Sequence, residues 1–386
     1  MSEKSHNSRF AAPVRDSQGR ISLIGMAFEE LQEAVVSTGL PKFRAKQLWN
    51  WVYQRGVKSF SEMQNLPKDM RERLDKTCTI ARSKEILEQK SKDGTIKWLL
   101  EMSDGNQVEA VFIPEDDRNT LCISSQVGCT LSCKFCHTGT QGLVRNLGAN
   151  EIVQQIMFVR DKLGEWPESG EKTVSIEGRN LTNIVIMGMG EPFYNYDNIS
   201  KAMKICMDKD GMSISKRRIT LSTSGVIPFI IKCGEELDIN LAISLHASNN
   251  ETRSQIMPIN KKYPIEELIE ACKEYPSLSE KRRITFEYIM LAGINDSDDC
   301  AEELAELLKD IPCKINLIPF NQWEGSNFES SSNNRTHAFA RILRSKGFDV
   351  PIRKTRGEDI MAACGQLKSD SKRVKRTEDW LCEYNI

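Results

Sequence analysis

Cys129-Thr130-Leu131-Ser132-Cys133-Lys134-Phe135-Cys136, preceded by Gly128 and followed by His137, places three thiols within eight residues in a C-x3-C-x2-C spacing. Soft thiolate ligands in such a run select zinc or an iron–sulfur cluster. The number of cysteines carries more than their spacing. A structural zinc site takes four ligands, which here would require His137 or Cys122 as the fourth. A [4Fe–4S] cluster held by three cysteines keeps one iron open to a small molecule.

The chain around this run alternates strand-like and helical segments. Strand-like runs lie at Leu121–Ser124, Asn183–Met187, Arg218–Leu221, Asn240–Ser244, Arg283–Met290 and Lys314–Pro319. Helical patterns fall near Asn150–Lys162, Asn198–Asp208, Pro228–Glu236, Ile265–Tyr275, Asp298–Lys309 and Arg335–Lys346. Six βα units of this kind predict an α/β fold with a parallel sheet and right-handed crossovers. Periodicity alone does not choose between an open sheet and a barrel. Cys129, Gly190, Ser222, Ser244 and Asn321 each fall at or just beyond the C-terminal end of a run, where parallel sheets bind ligands.

Upstream, helical spacing at Phe28–Thr38, Phe43–Gln54 and from Pro67 to about Lys76 predicts a small helical domain. Lys42 to Lys76 holds nine Lys/Arg against four Asp/Glu, although the whole chain has a net charge of −1. With Trp49, Trp51 and Tyr53 nearby, this suits RNA phosphate and base stacking, or else a solvated face over an aromatic core. Lys97–Met102 and Val108–Ile113 flank Asp104-Gly105 and read as a β-hairpin, with Glu109 on a strand and most simply facing solvent. A second basic stretch, Arg353 to Arg376, has eight Lys/Arg against three Asp/Glu and surrounds Cys364.

With 386 residues, 28% charged and 39% hydrophobic, the composition is that of a globular protein with a sizeable core. No apolar run approaches the roughly 18 residues of a membrane span. Met1–Gln18 has no apolar signal core, so the twelve cysteines read as cytosolic thiols rather than a disulfide framework.

The C-x3-C-x2-C run, with Gln126-Val-Gly-Cys129, Gly188-Met-Gly-Glu191-Pro192, Ser222-Thr-Ser-Gly225, Ser244-Leu-His246 and Ala363-Cys364-Gly-Gln-Leu367, resembles the RlmN family of radical S-adenosylmethionine (SAM) enzymes. The likeness runs from about Leu40 to Asp370. It implies a partial (β/α)6 barrel with a helical accessory domain and a β-hairpin linker. The corresponding divisions are a flexible tail (1–22), an RNA-binding domain (23–82), a β linker (83–117), the barrel (118–354) and a C-terminal extension (355–386). It further implies methylation of adenine C2 in 23S ribosomal RNA, and of an adenine in tRNA, with a [4Fe–4S] cluster and two SAM molecules. An electron-donating reductant follows from the same likeness. The lack of an apolar span and signal core sets the expectation of a cytoplasmic protein without membrane association, and a monomer is expected.

By resemblance, Cys129, Cys133 and Cys136 hold the cluster. Gly190, Glu191, Ser222, Ser244, Leu245, His246 and Asn321 contact SAM. Cys364 carries the methyl group, Cys122 resolves the covalent RNA adduct through a transient disulfide, and Glu109 acts as acid–base. A cation near Cys364 would favour its thiolate, with Lys354 and Arg356 as candidates. The other cysteines (Cys78, Cys206, Cys233, Cys272, Cys300, Cys313 and Cys382) read as buried small hydrophobes. Two alternatives stand beside this: a Cfr-like adenine C8 methyltransferase, and a non-enzymatic zinc-bearing RNA-binding protein.

Overall fold

The structure, a computed structural model, describes residues 14–167, 179–276 and 278–371. Its first part runs β1 (Ile21–Ser22), α1 (Phe28–Ser37), α2 (Arg44–Trp49, continued by a π turn over Asn50–Gln54), α3 (Lys68–Thr77) and β2 (Cys78–Thr79). Strands β3 (Lys84–Lys90), β4 (Ile96–Glu101), β5 (Gln107–Pro114) and β6 (Asn119–Cys122) follow, then β7 (Gln126–Val127), α4 (His137–Gln141) and β8 (Arg145–Asn146). The remainder alternates: α5 (Ala149–Lys162), β9 (Asn183–Ile186), α6 (Tyr196–Met207), β10 (Ile219–Thr223), α7 (Pro228–Glu236), β11 (Asn240–Ser244), α8 (Asn250–Ile256), α9 (Ile265–Lys273), β12 (Ile284–Met290), α10 (Asp298–Leu308), β13 (Cys313–Pro319) and α11 (Asn333–Ser345).

Two compact units divide this chain. The first comprises residues 1–84, 148–181 and 198–215, so α5 and the body of α6 belong with the N-terminal helices. Helix α1 starts where the Glu30 carboxylate accepts the Ala27 N–H (2.7 Å), and α5 where Glu151 accepts that of Gly148 (2.9 Å). The core gathers Leu31, Val35, Leu48, Val52 and Leu74. Trp49 and Tyr53 are 3% and 0% exposed, packed edge to face at 4.5 Å, with Trp49 Nε1 donating to Asp208. Of the two readings of these rings, base stacking or an aromatic core, the second holds: α2 turns them inward. Trp51, half-buried, donates to Asn65. The ring this helix leaves outside is Phe43, 63% exposed, with the Arg44 guanidinium 4.8 Å from its centroid. Nor is the tail loose up to residue 22. Arg15 bridges Ile21, and Ile21–Ser22 pairs in parallel with Cys78–Thr79.

The second unit, residues 85–147, 182–197 and 216–386, is built on a nine-stranded sheet ordered β13-β12-β11-β10-β9-β6-β5-β4-β3. From β6 through β13 the six strands are all parallel. The expected hairpin is not a separate linker. β4 and β5 pair around Asp104-Gly105 as anticipated, but β5 also pairs antiparallel with β6, so the hairpin extends the main sheet. The two faces explain why: β5 alternates little and buries Val108 through Phe112, the pattern of a sheet interior. Residues 349–352 add two parallel bridges to β13, at Lys314–Asp349 and Leu317–Ile352. No helix among the described residues is long and apolar enough to cross a membrane.

Candidate functional site

The C-terminal ends of the parallel strands face one cleft, which encloses about 1110 Å³ including its open mouth. The loop after β7 carries Cys129, Cys133 and Cys136, and all three line the cleft. Gly128 makes the loop possible. Its φ of +75° suits glycine, and a Cβ there would lie 1.8 Å from the Gly142 carbonyl oxygen, which accepts the Cys129 N–H at 3.2 Å. Gln126 braces the loop from below. Its Oε1 accepts the Thr130 N–H (3.1 Å) and the Glu191 N–H (3.0 Å), tying the cysteine loop to the Gly188–Glu191 turn. Gln126 stands in the motif that opens the loop, but its bracing role depends on two loops meeting and is not legible in sequence.

Among the described residues, no three His, Cys, Asp or Glu side chains converge closely enough to share one metal ion. Three cysteines of one loop on the cleft wall are a donor set for a [4Fe–4S] cluster with one open iron. Burial raises all three thiol pKa values, Cys133 to about 12, so binding requires the metal's own charge to displace the protons.

Beside the cysteine loop, Gly190 has φ +102°, and a Cβ there would lie 2.5 Å from that of Gln126. The next residue, Glu191, is 3% exposed and its carboxylate accepts from the Phe193 N–H (3.1 Å), the Thr223 hydroxyl (2.8 Å) and the Ser224 N–H (2.8 Å). Burial raises its pKa while these three donors oppose the rise. Ser222, Ser244 and His246 also line the cleft. His246 is buried with a left-handed φ of 61°, and its Nδ1 accepts the Ile289 N–H at 3.0 Å. That bond places the proton on Nε2, and burial lowers the pKa to about 3, so the ring is a fixed neutral donor. The Leu245 side chain lies in the core and not on the cleft wall, leaving its backbone as the available contact. Asn321 Nδ2 donates to the Cys364 carbonyl (3.2 Å), and its Oδ1 accepts from Thr355 (3.0 Å).

Cys122, at the end of β6, and Cys364 line the same cleft. Cys122 is buried, and burial pushes its thiol up to about 12. Cys364 is an exposed loop residue whose side chain faces the cleft. Enclosure raises its pKa, Arg353 works against the rise, and Glu287 and Cys136 add to it. The cation beside the two thiols is thus Arg353, not Lys354 or Arg356. Ile352 bridges Leu317, and Arg353 N donates to the Leu317 carbonyl (2.8 Å), which delivers residue 353 to the strand end.

The Cys364 loop is pinned on both sides. The His137 N–H donates to the Gly365 carbonyl (2.7 Å), Thr138 to that of Leu367 (2.5 Å), and Gln366 Nε2 to that of Gln322 (2.7 Å). Glu109 belongs to this pinning. It is 5% exposed, not solvent-facing, and pairs with Lys97 (2.8 Å) while accepting the Lys368 N–H (2.8 Å). Lys97 in turn donates to the Met361 carbonyl (3.1 Å), so this pair fastens both ends of the loop. Glu109 lies outside the cleft lining, two residues from Val111, which pairs with Cys122. Of the cysteines read as hydrophobes, Cys78, Cys206, Cys233, Cys272 and Cys313 are buried and Cys300 is half-buried, while Cys382 lies outside the described residues.

Comparison with known proteins bears on the whole chain. Residues 21–80 match the ribosomal RNA large subunit methyltransferase N-terminal domain, and residues 123–308 the radical SAM superfamily. The dual-specificity RNA methyltransferase RlmN of Rhodospirillum rubrum is 54% identical over 96% of this chain and 87% of its own length. That of Gluconobacter oxydans is 53% identical, covering 97% and 92%. The crystal structure of a radical SAM methyltransferase from Sphaerobacter thermophilus superposes with a TM-score of 0.82 at 41% identity, covering 90% of this chain and 98% of that one. The fold is therefore that of radical SAM enzymes, and the chain belongs to the family of dual-specificity RNA methyltransferases called RlmN.

Proposed function

We propose that this chain methylates C2 of an adenine in 23S rRNA and of an adenine in tRNA, using the three-cysteine loop, Cys364 and Cys122 as one machine. One observation carries the reading: all five thiols, drawn from three separate stretches of chain, line a single cleft at the ends of parallel strands. Cys129, Cys133 and Cys136 would hold a [4Fe–4S] cluster, leaving one iron open. When bound, the cluster supplies the one-electron chemistry that makes an unactivated adenine carbon reachable, where simple methyl transfer from a sulfonium would fail.

The chain's own residues then divide the labour. Glu191, already holding three donors, presents a carboxylate for the SAM ammonium, with Gly190 allowing close backbone approach. Ser222, Ser244 and His246 border the remaining SAM surface, while Asn321 supports it from outside the cleft lining through the Cys364 carbonyl and Leu245 contributes its backbone alone. Cys364 takes a methyl from SAM: its S–C bond forms as the sulfonium–methyl bond breaks, and the thiol proton leaves to solvent. Arg353, beside both thiols, favours the thiolates this step and the next require. The methyl carbon would lose one hydrogen atom to a radical derived from a second SAM and bond to C2, with the C2 proton and one electron leaving the adduct. The Cys122 thiolate would then attack the Cys364 sulfur, the S–S bond forming as the S–CH2 bond breaks. The electron pair of that broken bond passes to the carbon, which takes up a proton as the C2 methyl group, and an external reductant later reduces the disulfide. Glu109 serves as the acid–base group once the Cys364 loop lets its carboxylate go from Lys368. The N-terminal helices of residues 23–82 serve RNA binding and the parallel-sheet unit carries the catalysis of a cytoplasmic monomer, supplied with electrons by an external reductant.

Cys122→Ala tests this. It should still methylate Cys364 and attack adenine, then stall as a protein–RNA species that survives denaturing electrophoresis and is missing from Cys122→Ala/Cys364→Ala. Normal turnover by Cys122→Ala would leave that cysteine as core only. Mass spectrometry of the RNA product, locating the methyl at C2 or C8, separates the two adenine chemistries.

A further inference from the structure

Arg253, in α8, is 0% exposed. Its five N–H donors meet five oxygens: Nε the Leu245 carbonyl (3.0 Å), Nη1 Asn260 Oδ1 (2.9 Å) and the Tyr263 carbonyl (3.5 Å), Nη2 the carbonyls of Ser224 (2.8 Å) and Ser244 (3.2 Å). Each acceptor is neutral, and among the described residues no carboxylate reaches this guanidinium. The hydrogen bonds are complete, but the charge is not. A buried cation without an opposite charge is costly, and five carbonyl dipoles only partly offset it.

The titratable groups that feel this charge are the thiols of Cys133 and Cys272 and the ring of His246, the last already held neutral by burial. Cys272 is buried in α9 with its pKa driven far up, so it stays a neutral thiol. Cys133 belongs to the three-cysteine loop. The link to the cleft is short: Ser224, which lines it as Cys133 does, offers its carbonyl to Arg253 and its N–H to Glu191. The Lys134 N–H also donates to the carbonyl of Ile256, at the end of the Arg253 helix (2.9 Å). The arrangement is thus a saturated cation one residue behind the wall that three thiolates would occupy.

We propose that Arg253 is a positioning residue that serves as the fixed counter-charge of the cluster while clamping the Ser224 and Ser244 strand ends where SAM docks. This rests on the cluster-binding role given to Cys129, Cys133 and Cys136. Adding an electron to an already anionic cluster–thiolate assembly is opposed by its own charge, and a buried cation that cannot titrate away relieves that opposition. Arginine suits both tasks: its planar fork spans five acceptors, whereas the compact ammonium of lysine would carry the charge without spanning them.

The test is an electron-paramagnetic-resonance redox titration of the anaerobically reconstituted full-length protein, paired with SAM titration by calorimetry. Arg253→Gln should leave the cluster at least about tenfold harder to reduce at a fixed potential, some 59 mV for one electron. Arg253→Lys should stay within about threefold of the unsubstituted protein in reduction yet bind SAM about tenfold more weakly, because the clamp is gone while the charge remains. Asn260→Asp keeps the arginine and its 2.9 Å contact but supplies the missing anion, and should shift reduction in the same direction as Arg253→Gln. That variant carries the test if Arg253→Gln does not fold. An unchanged potential in Asn260→Asp, or an equal drop in Arg253→Lys and Arg253→Gln, overturns the counter-charge. An unsubstituted protein that takes up no cluster overturns instead the reading beneath it.

Discussion

Gly190 and Gly142 both turn the chain with a positive φ, but only one is crowded. A Cβ at Gly190 meets Gln126 at 2.5 Å, whereas at Gly142 nothing lies within 4 Å. Gly142→Ala should therefore cost only its backbone strain, on the order of 1 kcal/mol, and keep SAM binding. Gly190→Ala should displace Gln126 and Glu191 together and lower SAM affinity at least about tenfold, as read by calorimetry. His246 yields a second residue-scale prediction. Its folded pKa of about 3 lies below the ordinary 6.5, so between those values the unfolded chain binds a proton that the native state refuses. Stability contributed by the neutral ring is fully present above pH 6.5 and is lost as pH falls toward 3. Urea midpoints across that window should fall less in His246→Gln than in the unsubstituted protein; parallel profiles would remove His246 from the account. Sequence offered these residues as types at strand ends. The bonds that set their protonation and orientation include partners far along the chain, such as Ile289, 43 positions from His246, and Ser224, 33 from Glu191.

At the scale of elements, α2 shows what periodicity reveals and where it stops. Its apolar positions are legible, and the basic excess around it is real, but the Trp49 and Tyr53 rings lie on the side opposite to the one that base stacking would need. Trp49→Ala removes a buried ring packed against Phe28 and Tyr53 and should destabilise the protein by about 3–5 kcal/mol in urea unfolding. Phe43→Ala should leave the midpoint unchanged and, if the exposed ring stacks on an RNA base, weaken RNA binding about fivefold or more. Reversing Lys42, Arg44 and Lys46 to Glu should weaken RNA binding more and flatten its salt dependence, by a log–log slope of about 0.7–0.9 for each phosphate no longer neutralised. Equal affinities would make this end of α2 an ordinary solvated surface. The matching basic stretch after Cys364 divides differently: Lys372, Arg373, Lys375 and Arg376 lie outside the described residues.

At the scale of the molecule, the three-cysteine loop sits at the strand ends and contributes little to the core, whose largest buried side chains include Trp98, Tyr288, Phe286 and Phe339. Cys129→Ala should therefore abolish iron uptake and the brown absorbance near 400 nm while leaving the far-ultraviolet circular dichroism and the cooperative unfolding transition in place. A collapse of secondary structure would mean that the metal builds the fold. The alternation of six βα units was readable because each strand and helix advertises its own period over a few neighbouring residues, and the ligand loop because its three cysteines are adjacent in sequence. By itself, then, the sequence determined the parallel sheet and the strand-end location of the three-cysteine loop, with zinc and iron–sulfur ligation both compatible with its spacing. The tertiary structure alone decided that the hairpin joins the main sheet, that Arg353 rather than Lys354 or Arg356 faces the two thiols, that Glu109 is buried against Lys97, and that Arg253 is a buried cation that no carboxylate among the described residues reaches. These were invisible for one physical reason. Each depends on charges and backbone groups brought together by strand register and loop closure over long stretches of chain, which no local pattern of residues encodes.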